Sequence, residues 1–233
     1  MSSNGHRQFV KYTFYKLDPA WRRLPPERRA QDKAEFAAVV SEIASSMTTR
    51  TYSTVGMRGD ADLLVWQATD TLEQVQDAAT RVHSTALGGY LDTPHSFLAM
   101  TRVSHYVDDH RHEGQEGRTI EVKPSDNAKY FFVYPFLKTR EWYLLKPEER
   151  QAMMTDHFKI GHKYPSVKIN TSYSFGIDDQ EFMVAFESDS PSDFLQLVEE
   201  LRGVPGSLYT LRDTPIITCI RMSIEDALDS LGG

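Results

Sequence analysis

The chain is predicted to be an α+β protein: two fused ferredoxin-like units forming a dimeric α+β barrel within one polypeptide. Three observations lead there. The pattern W-x-x-L-x-P-E-x-R occurs twice, through Trp21, Leu24, Pro26, Glu27 and Arg29 and again through Trp142, Leu145, Pro147, Glu148 and Arg150. A second patch, Ala61 to Asp70, parallels Gln180 to Asp189 at nearly the same separation. Self-similarity at a fixed spacing is the mark of a duplicated architecture. Around these patches each half reads strand, helix, strand, strand, helix, strand, the ferredoxin-like order. Two sheets of that kind each keep one apolar face free of helices, and burying these faces against each other makes the barrel.

The elements follow in order. Apolar-aromatic runs predict the opening strands, 7–17 in the first half and 129–138 in the second. Each W-x-x-L-x-P-E-x-R segment then starts a helix, because proline is tolerated in the first turn and glutamate complements the helix dipole there. Strands over 48–58 and 61–69 match 166–176 and 180–188, and a Thr/Ser-Asp turn opens amphipathic helices over about 72–86 and 192–202. Closing strands fall at 94–107 and 214–222. The expected organisation is an N-terminal half over 7–107 without a metal ligand, a polar linker over 108–125, and a C-terminal half over 126–230 that carries the chemistry. Residues 1–6 and Leu231 to Gly233 are expected to fray.

With 233 residues and 40% of them hydrophobic, the chain has material for real cores. A formal charge of −7, with basic residues scattered among acidic ones, argues against a nucleic-acid surface. The single cysteine, Cys219, forms no internal disulfide and reads as a buried thiol. No run approaches the ~20 apolar residues of a membrane span and the start has no apolar leader core, so cytoplasmic residence is expected.

The repeat also serves as a control, because scaffold positions match while chemistry sits where the halves differ. His157 falls where the first half has Phe36. A neutral imidazole on a helix face turned toward a sheet is a good ligand for a transition metal or haem iron, and a core histidine satisfied by one hydrogen bond is the plain alternative. His162, five residues on, is rotated about 140° away on a regular helix and does not share that face. No zinc pattern, Gly-rich phosphate loop or G-x-S-x-G is present, while the polar stretch with His105, His110 and His112 could bind a metal adventitiously. The second asymmetric site is the strand Phe131 to Lys138. Tyr15 stands opposite Tyr134, but Pro135 and Lys138 have no counterparts, and a proline in such a run marks an edge, an end or a bulge where side chains are re-aimed. Tyr134 as core filler is the alternative.

The run Tyr134-Pro-Phe-Leu-Lys138, then Trp142-Tyr143, Glu149-Arg150, Met154-x-x-His157-x-x-x-Gly161 and Tyr173-Ser-Phe-Gly176-Ile-Asp-Asp179-Gln-Glu181 resembles the chlorite dismutase-like haem protein superfamily, nearest its coproheme decarboxylase branch. The resemblance implies fused ferredoxin-like units assembled as a homopentamer. It implies iron-coproporphyrin III as substrate, haem b as product and hydrogen peroxide as co-substrate. His157 then matches the iron ligand, Tyr134 the residue oxidised to a radical that takes a hydrogen atom from a propionate, and Lys138 a propionate contact. Ser207 falls near another propionate position, and Arg118 is a further carboxylate partner by charge and placement. Two departures stand out. Ile169 occupies the place where chlorite-degrading members carry a distal arginine, which lowers chlorite dismutation. Pro205-Gly206-Ser207 occupies the neighbourhood of the carboxylate that hydrogen-bonds the iron ligand in the family. A haem peroxidase or weak chlorite dismutase, and a non-catalytic haem-binding or sensing protein, are the other functions compatible with the pattern.

Overall fold

The computed structural model describes residues 7–104, 106, 122 and 124–232. Arg118, His105, His110 and His112, with nearly all of the expected linker, lie outside the described residues. In chain order the elements are β1 (Phe9–Leu17), α1 (Pro26–Ser46), β2 (Thr48–Ser53), β3 (Leu63–Thr69), α2 (Leu72–His83), β4 (Leu91–Met100), β5 (Tyr130–Lys138), α3 (Arg140–Leu144), α4 (Pro147–Gly161), β6 (Val167–Tyr173), β7 (Phe182–Ser188), α5 (Pro191–Arg202), β8 (Thr210–Arg212), β9 (Ile217–Met222) and α6 (Ile224–Asp229). The chain divides into two compact units, one of residues 1–100 with 217–233 and one of residues 101–216. Both combine antiparallel strands with helices, so the α+β class is observed.

In the first unit the strands run β4–β1–β3–β2–β9, each pair antiparallel. α1 begins on Pro26 at its first position with Glu27 in the first turn, as the repeat signature demands. Its buried face, Phe36, Ala37, Val40 and Ile43, packs with Leu17, Trp21, Leu63 and Val65 of the same cluster. α2 is capped by Thr71 in a capping box with Gln74. Cys219 on β9 is fully buried, and that burial pushes its thiol pKa upward.

The second unit orders its strands β6–β7–β5–β8, again antiparallel. Here α4 starts on Pro147 with Glu148 and Glu149 in its first turn, and Trp142 is buried like Trp21. β1 and β5 are both nine residues long and lie 121 positions apart at each end, 9 to 130 and 17 to 138. The same separation relates Trp21 to Trp142 and Phe36 to His157. From β3 and β7 onward it is 119, since Leu63 matches Phe182 and Leu72 matches Pro191.

Equivalent carboxylates tie equivalent strand ends. Asp62 accepts from the Leu17 amide at 3.0 Å while its own amide donates to the Tyr15 carbonyl at 2.8 Å. Glu181 accepts from the Lys138 amide at 2.8 Å, and its own amide donates to the Phe136 carbonyl at 3.3 Å.

Two expectations need correction. Equal strand lengths at a fixed separation set Thr13, not Tyr15, opposite Tyr134, and Leu17 opposite Lys138; Tyr15 corresponds to Phe136. The expected strand 214–222 forms as β9 over Ile217–Met222 but pairs with β2 of the first unit, while the strand that pairs with Leu137 and Lys138 of β5 is β8, outside the expected range.

Candidate functional site

Alternate residues of a strand face one side of its sheet, so Tyr130, Phe132, Tyr134, Phe136 and Lys138 share a face of β5. Phe132 anchors that face in a buried cluster with Val167, Phe186, Phe194 and Leu197, and Tyr134 packs against it. Register aligns Tyr134 with Val184 and Thr171, one row from Phe132, Phe186 and Ile169. The Tyr134 ring stacks on Phe186 with centroids 5.9 Å apart. Burial drives its phenol pKa upward; Asp213 adds to the rise and Arg202 opposes it, so the hydroxyl is a neutral O–H. Arg202 and Asp213 form an ion pair with each other. β8 pairs only with the last two residues of β5, with a register shift between them, two residues beyond Pro135. That is the irregularity a strand proline announces.

At the end of β5, Lys138 turns its ammonium inward. Its Nζ donates to the Gly206 carbonyl at 2.7 Å and lies 4.5 Å from the centre of the Trp142 ring and 5.3 Å from that of Phe136. Burial pulls its pKa down to about 8, with Glu181 opposing the fall. Glu181 also accepts from the Tyr143 hydroxyl at 2.6 Å, so one buried carboxylate holds both the backbone of Lys138 and the phenol of Tyr143. Burial and that bond raise the Tyr143 pKa well beyond the ordinary phenol range.

α4 supplies His157. None of the fifteen residues of α4 is fully buried, whereas α1 buries five, Phe36 among them. α4 leans on α5 and on the 3-10 turn Pro205–Tyr209. On β6, Ile169 stays 45% exposed although it shares a face with buried Val167. Apolar surface on the helix and on the strands is thus left half-covered. Burial, and then the charge of Lys138, bring the His157 pKa down to about 4. The imidazole is neutral at pH 7 with a lone pair to give, and no carboxylate hydrogen-bonds it among the described residues.

The charge of Lys138 thus acts on His157, and Tyr134 lies on the strand face that carries Lys138. Ser207 sits in the 3-10 turn, but its hydroxyl donates to the Arg202 carbonyl at 2.8 Å and so serves the end of α5. Four participants escaped the sequence reading: Glu181 as a buried hub, the Gly206 carbonyl, and the Arg202–Asp213 pair beside Tyr134. Trp142 was visible as a repeat landmark and in the resemblance, but not as the ring beside the Lys138 ammonium. Among the described residues no cluster of three or more His, Cys, Asp or Glu could hold a metal ion.

A family model described as chlorite dismutase matches residues 29–222. A coproheme decarboxylase from Mycolicibacterium smegmatis is 31% identical over 181 residues, covering 77% of this chain and 75% of that protein. A variant of the chlorite dismutase from Candidatus Nitrospira defluvii superposes with a TM-score of 0.88 at 24% identity, over 97% of this chain and 95% of that one. A heme-binding protein from Thermus thermophilus gives 0.85 at 26% identity, over 97% and 96%.

Proposed function

The chain belongs to the chlorite dismutase family, and on that premise we propose that it binds iron-coproporphyrin III through His157 and decarboxylates it with hydrogen peroxide to haem b. The single observation that carries the reading is the exchange of a buried pair in the first unit, Leu17 and Phe36, for Lys138 and His157 in the second.

The residues fit an iron porphyrin. A neutral imidazole is the required ligand form. The half-covered apolar faces of α4 and β6 suit a flat, largely apolar ring, and Ile169 contributes no charge to it. Bound iron-coproporphyrin supplies the redox centre through which peroxide oxidises the site. The protein's part is then to present Tyr134, which gives up its hydroxyl hydrogen atom and takes one from a propionate side chain. For each propionate, one carboxylate side chain, one peroxide and one proton give a vinyl group, carbon dioxide and two waters. The neutral phenol enforced by burial keeps that hydrogen atom in place at rest. Arg202, whose charge acts on Tyr134, is a described cation near which a carboxylate is favoured. Arg118 and Ser207 are retained as carboxylate partners; Ser207 must first release the Arg202 carbonyl, because a carboxylate needs the donor now spent there.

Ile169 argues against chlorite chemistry, which calls for a cation at the leaving oxygen. Closure of the two units as a ferredoxin-like barrel, assembly as a homopentamer and cytoplasmic residence belong to the same proposal. No helix among the described residues is long and apolar enough to cross a membrane.

Two measurements test the function. Titrating wild type with iron-coproporphyrin should give a Soret shift that His157→Ala loses. With peroxide added, Tyr134→Phe should bind the porphyrin but form haem b at least about 100-fold more slowly. Haem b released at the wild-type rate would sink the proposal.

A further inference from the structure

We propose that the first unit holds a ligand site of its own, a small cavity between α1, α2 and the sheet that takes a short monocarboxylate. Lys11, Thr13 and Tyr15 of β1 hold the carboxylate, and the alkyl end lies against α2. None of these residues has a part in the proposed porphyrin chemistry.

The repeat shows where the space comes from. The separations of 121 and 119 set Lys11, Gln67 and Val75 opposite Phe132, Phe186 and Phe194. In the second unit those three phenylalanines belong to one cluster, with ring centroids 4.0 Å apart for Phe132 and Phe194 and 5.0 Å for Phe186 and Phe194. α2 also carries Ala78 where α5 has Leu197. These exchanges remove bulk and add polarity at one place, and what remains is a cavity lined by Lys11, Thr13, Tyr15, Gln67, Val75 and Ala78 among others. Polar side chains beneath two helices weaken a core unless they find partners there. A scaffold with no other duty is better served by the three rings.

The polar lining is unspent. Tyr15 is only 3% exposed and Gln67 7%. Gln67 donates its amide N–H to the Met47 sulfur at 3.6 Å, which leaves its carbonyl oxygen unpaired among the described residues. Among the same residues the hydroxyls of Tyr15 and Thr13 make no hydrogen bond. Buried groups of this kind are ordinarily paired, so the cavity calls for a polar occupant. Burial pushes the Tyr15 phenol up to about 12, which keeps it an O–H donor at neutral pH. Lys11 shares the strand face of Thr13 and Tyr15, and its ammonium donates to the Ser96 hydroxyl opposite Thr13. Two hydroxyl donors and a cation against one open acceptor select a carboxylate over an amine or a neutral amide. The space, about 340 Å³ counting its open mouth, lies at the lower end of ligand pockets and admits a short acid but not a porphyrin.

The test titrates the full chain with sodium propionate and, separately, with propionamide, followed by methyl NMR. Propionate should give saturable shifts at Val75, Ala78 and Val82 while Val167, Val184 and Val198 of the second unit stay in place. Propionamide should bind about tenfold more weakly, and Tyr15→Phe should weaken propionate by a similar factor. Val75→Phe, which puts back the ring found in the second unit, should abolish the shifts and still take up iron-coproporphyrin like wild type. Ala78→Leu closes the same space should Val75→Phe fold poorly. Shifts that do not saturate overturn the inference, as do shifts centred on the second unit. Equal affinity for propionamide overturns the carboxylate assignment. Propionate binding that survives Tyr15→Phe unchanged, or survives the filled cavity, places the acid elsewhere and overturns the site.

Discussion

At His157, burial and the nearby Lys138 ammonium hold the imidazole pKa near about 4, against 6.5 for an exposed histidine. The folded value lies below the unfolded one, so as pH falls the unfolded chain takes up the proton first. Stability is intact above pH 6.5 and is lost between 6.5 and about 4. His157→Phe, which restores the residue type of Phe36, should remove that loss. Thermal melts of the porphyrin-free protein should find the variant more stable than wild type near pH 4 by on the order of 1–3 kcal/mol, with the difference shrinking toward pH 7; the upper figure is discounted because the ring is only half-buried. Equal pH slopes would contradict the assigned environment. His157 was legible because the repeat supplies a reference half in which the same position is phenylalanine. Lys138 was legible as a residue without a counterpart, but its true opposite, Leu17, emerged only once β1 and β5 proved equal in length. Glu181 was hidden for a physical reason. It follows Asp178 and Asp179 in an acidic turn, and only the fold decides which of the three carboxylates points inward. The Gly206 carbonyl is backbone and leaves no trace in side-chain chemistry.

The strand ends at Lys138 and Leu17 depend on carboxylates that arrive from the start of the next hairpin strand. Glu181→Ala leaves the Lys138 amide and the Tyr143 hydroxyl without their acceptor, and should cost about 1–3 kcal/mol in a urea titration. Asp62→Ala should cost a similar amount by freeing the Leu17 amide and the Lys16 ammonium. A change below about 0.5 kcal/mol in either would mean that the strand end is held by packing alone. Helix starts were readable to within a residue, since proline with trailing glutamates states a helix N-terminus in local chemistry. Strand ends were not. The expected strand 48–58 stops at Ser53 because Met57 and Arg58 donate back to the Thr54 carbonyl and Gly56 takes φ +81°. That turn is set by non-local pairing as much as by sequence.

For the whole molecule, the α+β class followed from the repeat, but the return of the chain end did not. β9 and α6 join the first unit, with Ile224, Ala227, Leu228 and Leu231 in the cluster around Phe36. Apolar periodicity tells that a segment is buried and is silent about which sheet takes it. Deleting residues 217–233 should therefore speed hydrogen exchange in β2, β3 and α1 while β6 and β7 keep their protection; uniform loss across both units would refute the division. A second consequence starts from α4, which buries no residue fully. Such a helix opens at low free energy and offers proteases a cut within 147–161. Any molecule bound across it stabilises the closed form by mass action. With the proposed porphyrin as that molecule, lifetime in the cell should follow porphyrin supply, and pulse-chase with and without a porphyrin source should show a longer half-life when it is present.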